Sequence, residues 1–108
     1  MVDVFAAVAD PTRREILERL RADGPQSVAQ LSRPLPMSRQ AVTKHLDLLT
    51  KAGLIEQEWR GRERFHRLHA QPLRRVEDWL APYAADWDRR LARLEEHLDM
   101  EVHDDDED

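Results

Sequence analysis

Apolar residues recur at helical spacing along most of the chain, and the polar residues between them mark where each helix starts and stops. Val4, Phe5 and Val8 suit one face of a short opening helix. Asp10-Pro11 predicts the next helix start, because Asp accepts orphan amide bonds as N-cap and Pro tolerates the first helical position. Ile16, Leu17 and Leu20 form its buried stripe, which stops at Gly24-Pro25. Ser27 predicts a cap for a short helix through Val28 and Leu31, ending near Arg33 because Pro34 and Pro36 follow. Ser38 caps another helix, and Gly53 closes it.

That last helix has two distinct faces. At about 100° per residue from Val42, Leu46 falls near 40° and Leu49 near −20°, a narrow apolar stripe. Gln40, Thr43, Lys44, Asp47 and Lys51 fall between about 100° and 200°, opposite it, and Arg39 borders it in the first turn. Two short helices joined by a Pro turn, the second exposing hydrogen-bond donors near its start, have the layout of a helix-turn-helix.

Leu54, Ile55 and Trp59 lead into Arg60-Gly61-Arg62, and Phe65 and Leu68 follow, which predicts a β-hairpin over residues 54–69 with an uncertain register. Its tip carries Arg60, Arg62 and Arg64, suited to phosphate or minor-groove contact. From Pro72 onward, Val76, Leu80, Tyr83, Trp87, Leu91, Leu94 and Leu98 step by 4, 3, 4, 4, 3 and 4, close to a heptad rhythm. Pro82 cannot donate to the carbonyl of Asp78, so a kink or break is expected there, giving helices of about 72–81 and 83–99. The expected fold is mainly α with a small β-hairpin: a winged helix-turn-helix over residues 1–98, followed by an acidic disordered tail at 99–108.

Charge changes the picture only once it is located. The 108 residues carry a net −5, which argues at first sight against nucleic acid. Residues 38–69, however, hold seven Lys or Arg against four acids, and seven acids lie in the last ten residues. A chain of this length buries only roughly 65% of its unfolded surface, so burial in a dimer would help. Without cysteine, disulfides, thiolate zinc sites and thiol catalysis are excluded together. His45 lies beside the apolar seam and reads as a packed or hydrogen-bonded histidine. His66 and His69, three apart in a strand, point to opposite faces and make a poor chelate. No metal or other cofactor is expected. With three Gly and no Gly-rich loop, the chain offers no enzyme constellation. The absence of a signal-like N-terminus and of a long apolar run predicts a soluble, cytoplasmic protein with no membrane partner.

VADPTRREILERL, followed by MSRQAVTKHLDLLTKAGLIEQEWRGRERFHRL, resembles the bacterial ArsR/SmtB-type repressors across residues 6–68. The resemblance implies a homodimeric repressor that binds an inverted-repeat operator in double-stranded DNA and is released by a small-molecule inducer. It places DNA reading on Arg39, Gln40, Thr43 and Lys44 and maps the hairpin onto the wing, with Arg62 at its tip. Ser38 would aim the helix; Arg39 and Gln40 suit guanine and adenine edges. Phe5 and Val8, together with Trp87, Leu91, Leu94 and Leu98, are the expected dimer interface. The sequence departs from the metal-sensing members: it has no Cys, and the last helix offers only His97, with His103 beyond it. The Trp79, Tyr83, Trp87 cluster suits packing or an effector pocket. The rival reading is a winged-helix protein-interaction module without specific DNA binding; salt-titrated shifts of DNA separate the two.

Overall fold

The computed structural model describes residues 2–106 and forms two compact units that divide between Val76 and Glu77. In the first unit, α1 (Val4–Ala7), α2 (Pro11–Asp23), β1 (Gln26–Ser27), α3 (Val28–Ser32) and α4 (Arg39–Lys51) are followed by β2 (Ile55–Arg60) and β3 (Glu63–Leu68). A 3-10 turn at Gln71–Leu73 then leads into α5 (Arg74–Asp106), which carries the chain into the second unit.

The helix starts are capped as the sequence predicts. Asp10 accepts the Arg13 amide at 3.0 Å, with Pro11 opening α2. Ser27 and Gln30 close a reciprocal capping box on α3. Ser38 Oγ accepts the Ala41 amide at 3.1 Å and starts α4. At the other end of α4, Gly53 takes φ of 79°, a left-handed conformation that a side chain would strain.

Ile16, Leu17 and Leu20 of α2 and Leu31 of α3 meet Val42, Leu46 and Leu49 of α4, with Leu54 and Ile55 closing the core. Two polar clamps hold this packing. Arg19 donates to the Leu31 and Gln30 carbonyls at 2.7 and 3.0 Å, tying α2 to α3. Arg13 donates to the Ala7 carbonyl at 2.7 Å and lies 3.4 Å from His45 Nδ1, tying α1 and α2 to α4. The expectation of a hydrogen-bonded His45 agrees with this contact.

The predicted hairpin forms, but it belongs to a three-stranded antiparallel sheet of order β1-β3-β2. The pairs Gln26–His66 and Ser27–Phe65 add β1, which the sequence reading missed. Arg60 pairs with Glu63, so the loop is Gly61-Arg62; φ of 64° at Gly61 and no positive φ at Arg62 give the sign pattern of a type II′ turn.

In the second unit the division into two helices at Pro82, one of the two outcomes expected there, does not occur: Pro82 lies inside one continuous α5. A proline forfeits one intrahelical bond, and the unbroken apolar rhythm on both sides keeps the helix in one frame. The backbone of α5 also continues through Asp106, so the disordered tail expected at 99–108 is helical over its described part; residues 107 and 108 lie outside the described residues. Trp79, Tyr83, Trp87, Leu91, Leu94 and Leu98 are all about half exposed along this helix.

Candidate nucleic-acid interface

The interface begins with the buried side of α4. Val42, Leu46 and Leu49 are each at most 1% exposed, which fixes the rotation of the helix. Arg39, Gln40, Thr43 and Lys44 therefore all face solvent, as the periodicity requires. Ser38 sits exposed at the cap and sets the direction of the first turn. The Thr43 hydroxyl donates to the Arg39 carbonyl at 2.8 Å, which leaves its oxygen lone pairs and methyl group for an outside partner. The side chains of Arg39, Gln40 and Lys44 make no hydrogen bond or ion pair among the described residues.

The pairing register sorts the wing into two faces. Ile55, Gln57, Trp59, Arg64, His66 and Leu68 share one face, and Glu58, Arg60, Glu63 and Phe65 share the other. The first face turns toward the helices: Gln57 Nε2 donates to Thr50 Oγ1 of α4 at 3.4 Å, and His66 and Ile55 are buried. Arg64 of the wing and Arg39 of α4 border one cleft of about 210 Å³, lined also by Glu63 and residues 27–29. The structure thus brings a wing arginine and a recognition-helix arginine to the same opening.

The three wing arginines are not equivalent. Arg60 is committed, with its guanidinium 2.7 Å from Glu58 Oε1 and 4.7 Å over the Phe65 ring. Arg64 stacks 4.8 Å over Trp59, which keeps its charge unpaired while bracing its orientation. Arg62 occupies the turn and makes no ion pair among the described residues. Further down the hairpin, Arg67 bonds Glu56 and holds that carboxyl below its ordinary value, while His69 Nδ1 lies 3.6 Å from Glu56 Oε1.

His66 is the buried polar residue of the sheet. It is 2% exposed and its Nδ1 has no hydrogen-bond partner among the described residues. Burial pushes its pKa below the ordinary 6.5, against the opposing effects of a hydrogen bond to the Gln26 backbone and the nearby Asp47 carboxylate. His69, expected in the same strand, lies one residue past the end of β3 and is exposed.

Trp59 is the interface residue that the sequence reading did not select. It is 64% exposed on the helix-facing side of β2, partnered by Arg64 across the strand pair. An indole between two charged residues in Glu58-Trp59-Arg60 was the available signal. The residues expected at the dimer interface are placed separately. Phe5 is 37% exposed on α1, Val8 is partly buried against the core, and Trp87, Leu91, Leu94 and Leu98 lie on the exposed row of α5.

A helix-turn-helix domain model matches residues 8–58, from the end of α1 into β2. The chain is 39% identical over 100 residues to the HTH-type transcriptional regulator Rv2034 of Mycobacterium tuberculosis, covering 93% of this chain and 90% of that one. The solved structure of an ArsR-like transcriptional regulator from Rhodococcus sp. RHA1 is 46% identical, with a TM-score of 0.62 over 84% of this chain and 85% of that one. The chain belongs to the ArsR/SmtB family of transcriptional regulators. A second structure named for that family gives a TM-score of 0.67 at 38% identity, covering 78% of this chain and 86% of that one. The winged helix-turn-helix of this ArsR-family protein is that of a DNA-binding transcriptional regulator, not of an enzyme. No helix among the described residues is long and apolar enough to cross a membrane.

Proposed function

We propose that this ArsR-family regulator is a homodimeric repressor that seats its two α4 helices in successive major grooves of an inverted-repeat operator and is released by a small-molecule inducer. The observation that carries the reading is the convergence of Arg39 and Arg64 on one cleft beside an exposed, uncommitted donor row on α4. In a winged helix the recognition helix enters the major groove, and the phosphate backbone then runs toward the wing. Arg39 and Gln40 read guanine and adenine edges, and Thr43 and Lys44 contact base edge or phosphate. Arg62 and Arg64 neutralise phosphates or enter the minor groove; Trp59 supplies an indole N–H beside them. Arg60, held by Glu58, contributes least.

Two supports come from the surroundings. Six large apolar side chains from Trp79 to Leu98 fall within an arc of about 120° on α5 and stand about half exposed, a row that a second copy can cover by two-fold pairing. Phe5 and Val8 are assigned to the same interface. The transcriptional repressor SdpR of Bacillus subtilis is 28% identical over 91 residues, covering 84% of this chain and all of that one, which favours repression over activation.

The test is selection of bound duplexes from a random pool, followed by salt-titrated shifts of the selected and an unselected duplex. A selected inverted repeat whose half-sites are about 10 base pairs apart is expected. Recovery of no preferred sequence, with no shift of either duplex at low salt, would leave a protein-interaction module as the surviving reading.

A further inference from the structure

A cavity of about 320 Å³ opens where residues 2–4, the end of α4 and the turn before α5 come together. This volume lies in the range of small-ligand clefts, about 300–1,000 Å³. Val2, Val4 and Pro72 give it an apolar floor, and Val4 is continuous with the hydrophobic core. Lys51 and Arg75 supply two positive charges, Gln71 an amide, and no acidic residue lines it. Neither cation has an ion pair or side-chain hydrogen bond among the described residues, whereas Arg21, Arg60, Arg67 and Arg89 each hold a carboxylate.

The ordinary task of a lysine in the last turn of a helix is to satisfy the terminal carbonyls. Here that task is already done. The Leu48, Leu49 and Thr50 carbonyls accept the amides of Ala52, Leu54 and Gly53 at 3.0 Å each. Gly53, at φ of 79°, forms part of the rim, and a Cβ there would make only ordinary contact with Pro72 Cγ at 3.7 Å.

We infer that this cavity binds a small amphipathic monocarboxylate, its carboxylate between Lys51 and Arg75 and its apolar body against Val2, Val4 and Pro72. Two cations lining one cavity suit a carboxylate, and charge-assisted hydrogen bonds there are the strong kind. A fully hydrophilic anion such as phosphate would leave the apolar floor in water and gain nothing from it. Lys51 is the last residue of α4, about 18 Å along the axis from Arg39, so the ligand does not compete for DNA directly. It bridges α4 to residues 2–4 and 71–75 and shifts DNA affinity by biasing how the recognition helix is seated. That consequence rests on the repressor reading; the binding itself does not.

Calorimetric titration of the full chain without DNA tests the site, using hexanoate, benzoate and inorganic phosphate as probes. Hexanoate or benzoate should bind once per chain and phosphate at least about tenfold more weakly, while Lys51→Met and Arg75→Met each reduce carboxylate binding by about tenfold or more. Both side chains are exposed and neither belongs to the DNA-reading set; unchanged circular dichroism and random-duplex binding confirm that the variants are folded. Absence of carboxylate binding at millimolar concentration, equal binding of phosphate, or wild-type binding by both variants overturns the site. The second arm is the affinity of the selected operator with and without saturating carboxylate. A shift in the wild type that disappears in Lys51→Met supports the inducer role, and an unmoved affinity with intact calorimetric binding overturns that role. Failure to bind any duplex removes the repressor reading and leaves the calorimetric result standing.

Discussion

Acid should loosen the wing from inside, through His66. The imidazole sits on the middle strand of the sheet, 2% exposed, with Nδ1 unsatisfied. The charged groups nearest it are Asp47 of α4, which favours the imidazolium, and Arg64 on its own strand, which opposes it; burial dominates both and holds the pKa below 6.5. The folded state therefore keeps His66 neutral while the unfolded chain takes up a proton below pH 6.5. Unfolding then gains a proton, so stability present above pH 6.5 is lost as the pH falls toward the folded-state pKa. The slope for one fully differential proton is about 1.4 kcal/mol per pH unit. Against a total of about 5–15 kcal/mol for a domain, one unit of acidification removes a measurable share. His66→Gln keeps an N–H for the Gln26 backbone and cannot titrate. Urea denaturation of both proteins at fixed concentration, between about pH 7.5 and 5, isolates this residue because the other histidines cancel in the difference. The wild type should lose more stability than the variant, with the gap opening only below about pH 6.5. Parallel curves, within a few tenths of a kcal/mol, would show that His66 does not titrate differently on folding and would refute the reasoning.

The remaining expectations concern the interface and the assembly. Gln40→Ala should cost about 1–3 kcal/mol on the selected operator and little on random duplex in shift assays; equal losses on both would remove it from base reading. Arg62→Ala should weaken binding to both duplexes and reduce the salt slope by about one unit, and an unchanged slope would take it off the phosphate contacts. Leu91→Asp places a carboxylate in the exposed apolar row of α5 and should yield a sedimenting monomer with reduced operator affinity; a dimer that persists would move the interface elsewhere.

Much of this arrangement was legible because the helix signals are local. Asp10-Pro11, Ser27 with Gln30, and Ser38 each cap the helix they precede, and the Val42, Leu46, Leu49 stripe faces the core. The sheet was harder. β1 is two residues long, too short to alternate, and Ser27 serves at once as strand and helix cap. In Glu63–Leu68 the aromatic Phe65 suggests the inward position, yet the structure buries His66 and turns Phe65 to the other face beneath Arg60. A hydrophobicity pattern cannot see that choice, because the pairing of Gln26 with His66 comes from a strand forty residues earlier. Pro82 misled for the opposite reason. Its local cost is real, but α5 keeps one apolar frame on both sides, and a single lost bond does not end a 33-residue helix. The commitment of Arg67 to Glu56 could not be read, since it depends on strand register, whereas Arg60 and Glu58 sit two apart on one strand, a spacing the sequence does show.

That last distinction bears on how the proposed repressor separates affinity from specificity. A net charge of −5 predicts repulsion from DNA only if the charges act together. At about 8 Å screening length in physiological salt, they do not; each phosphate responds to the cations within its own reach. Arg39, Lys44, Arg62 and Arg64 are uncommitted and belong to α4 and the wing, while seven of the acids lie in the last ten residues. Local attraction therefore suffices for phosphate contact, and preference for the operator rests on Gln40 and Arg39. The two inputs argued above then act on different parts of the same interface. Acid acts through His66 on the stability of the sheet that carries Arg64, and so on the folded fraction available to any duplex. An anion at Lys51 acts on the helix that carries the base readers, which changes the preference for the operator. Acid should consequently lower operator and random binding together, whereas a carboxylate ligand should lower their ratio.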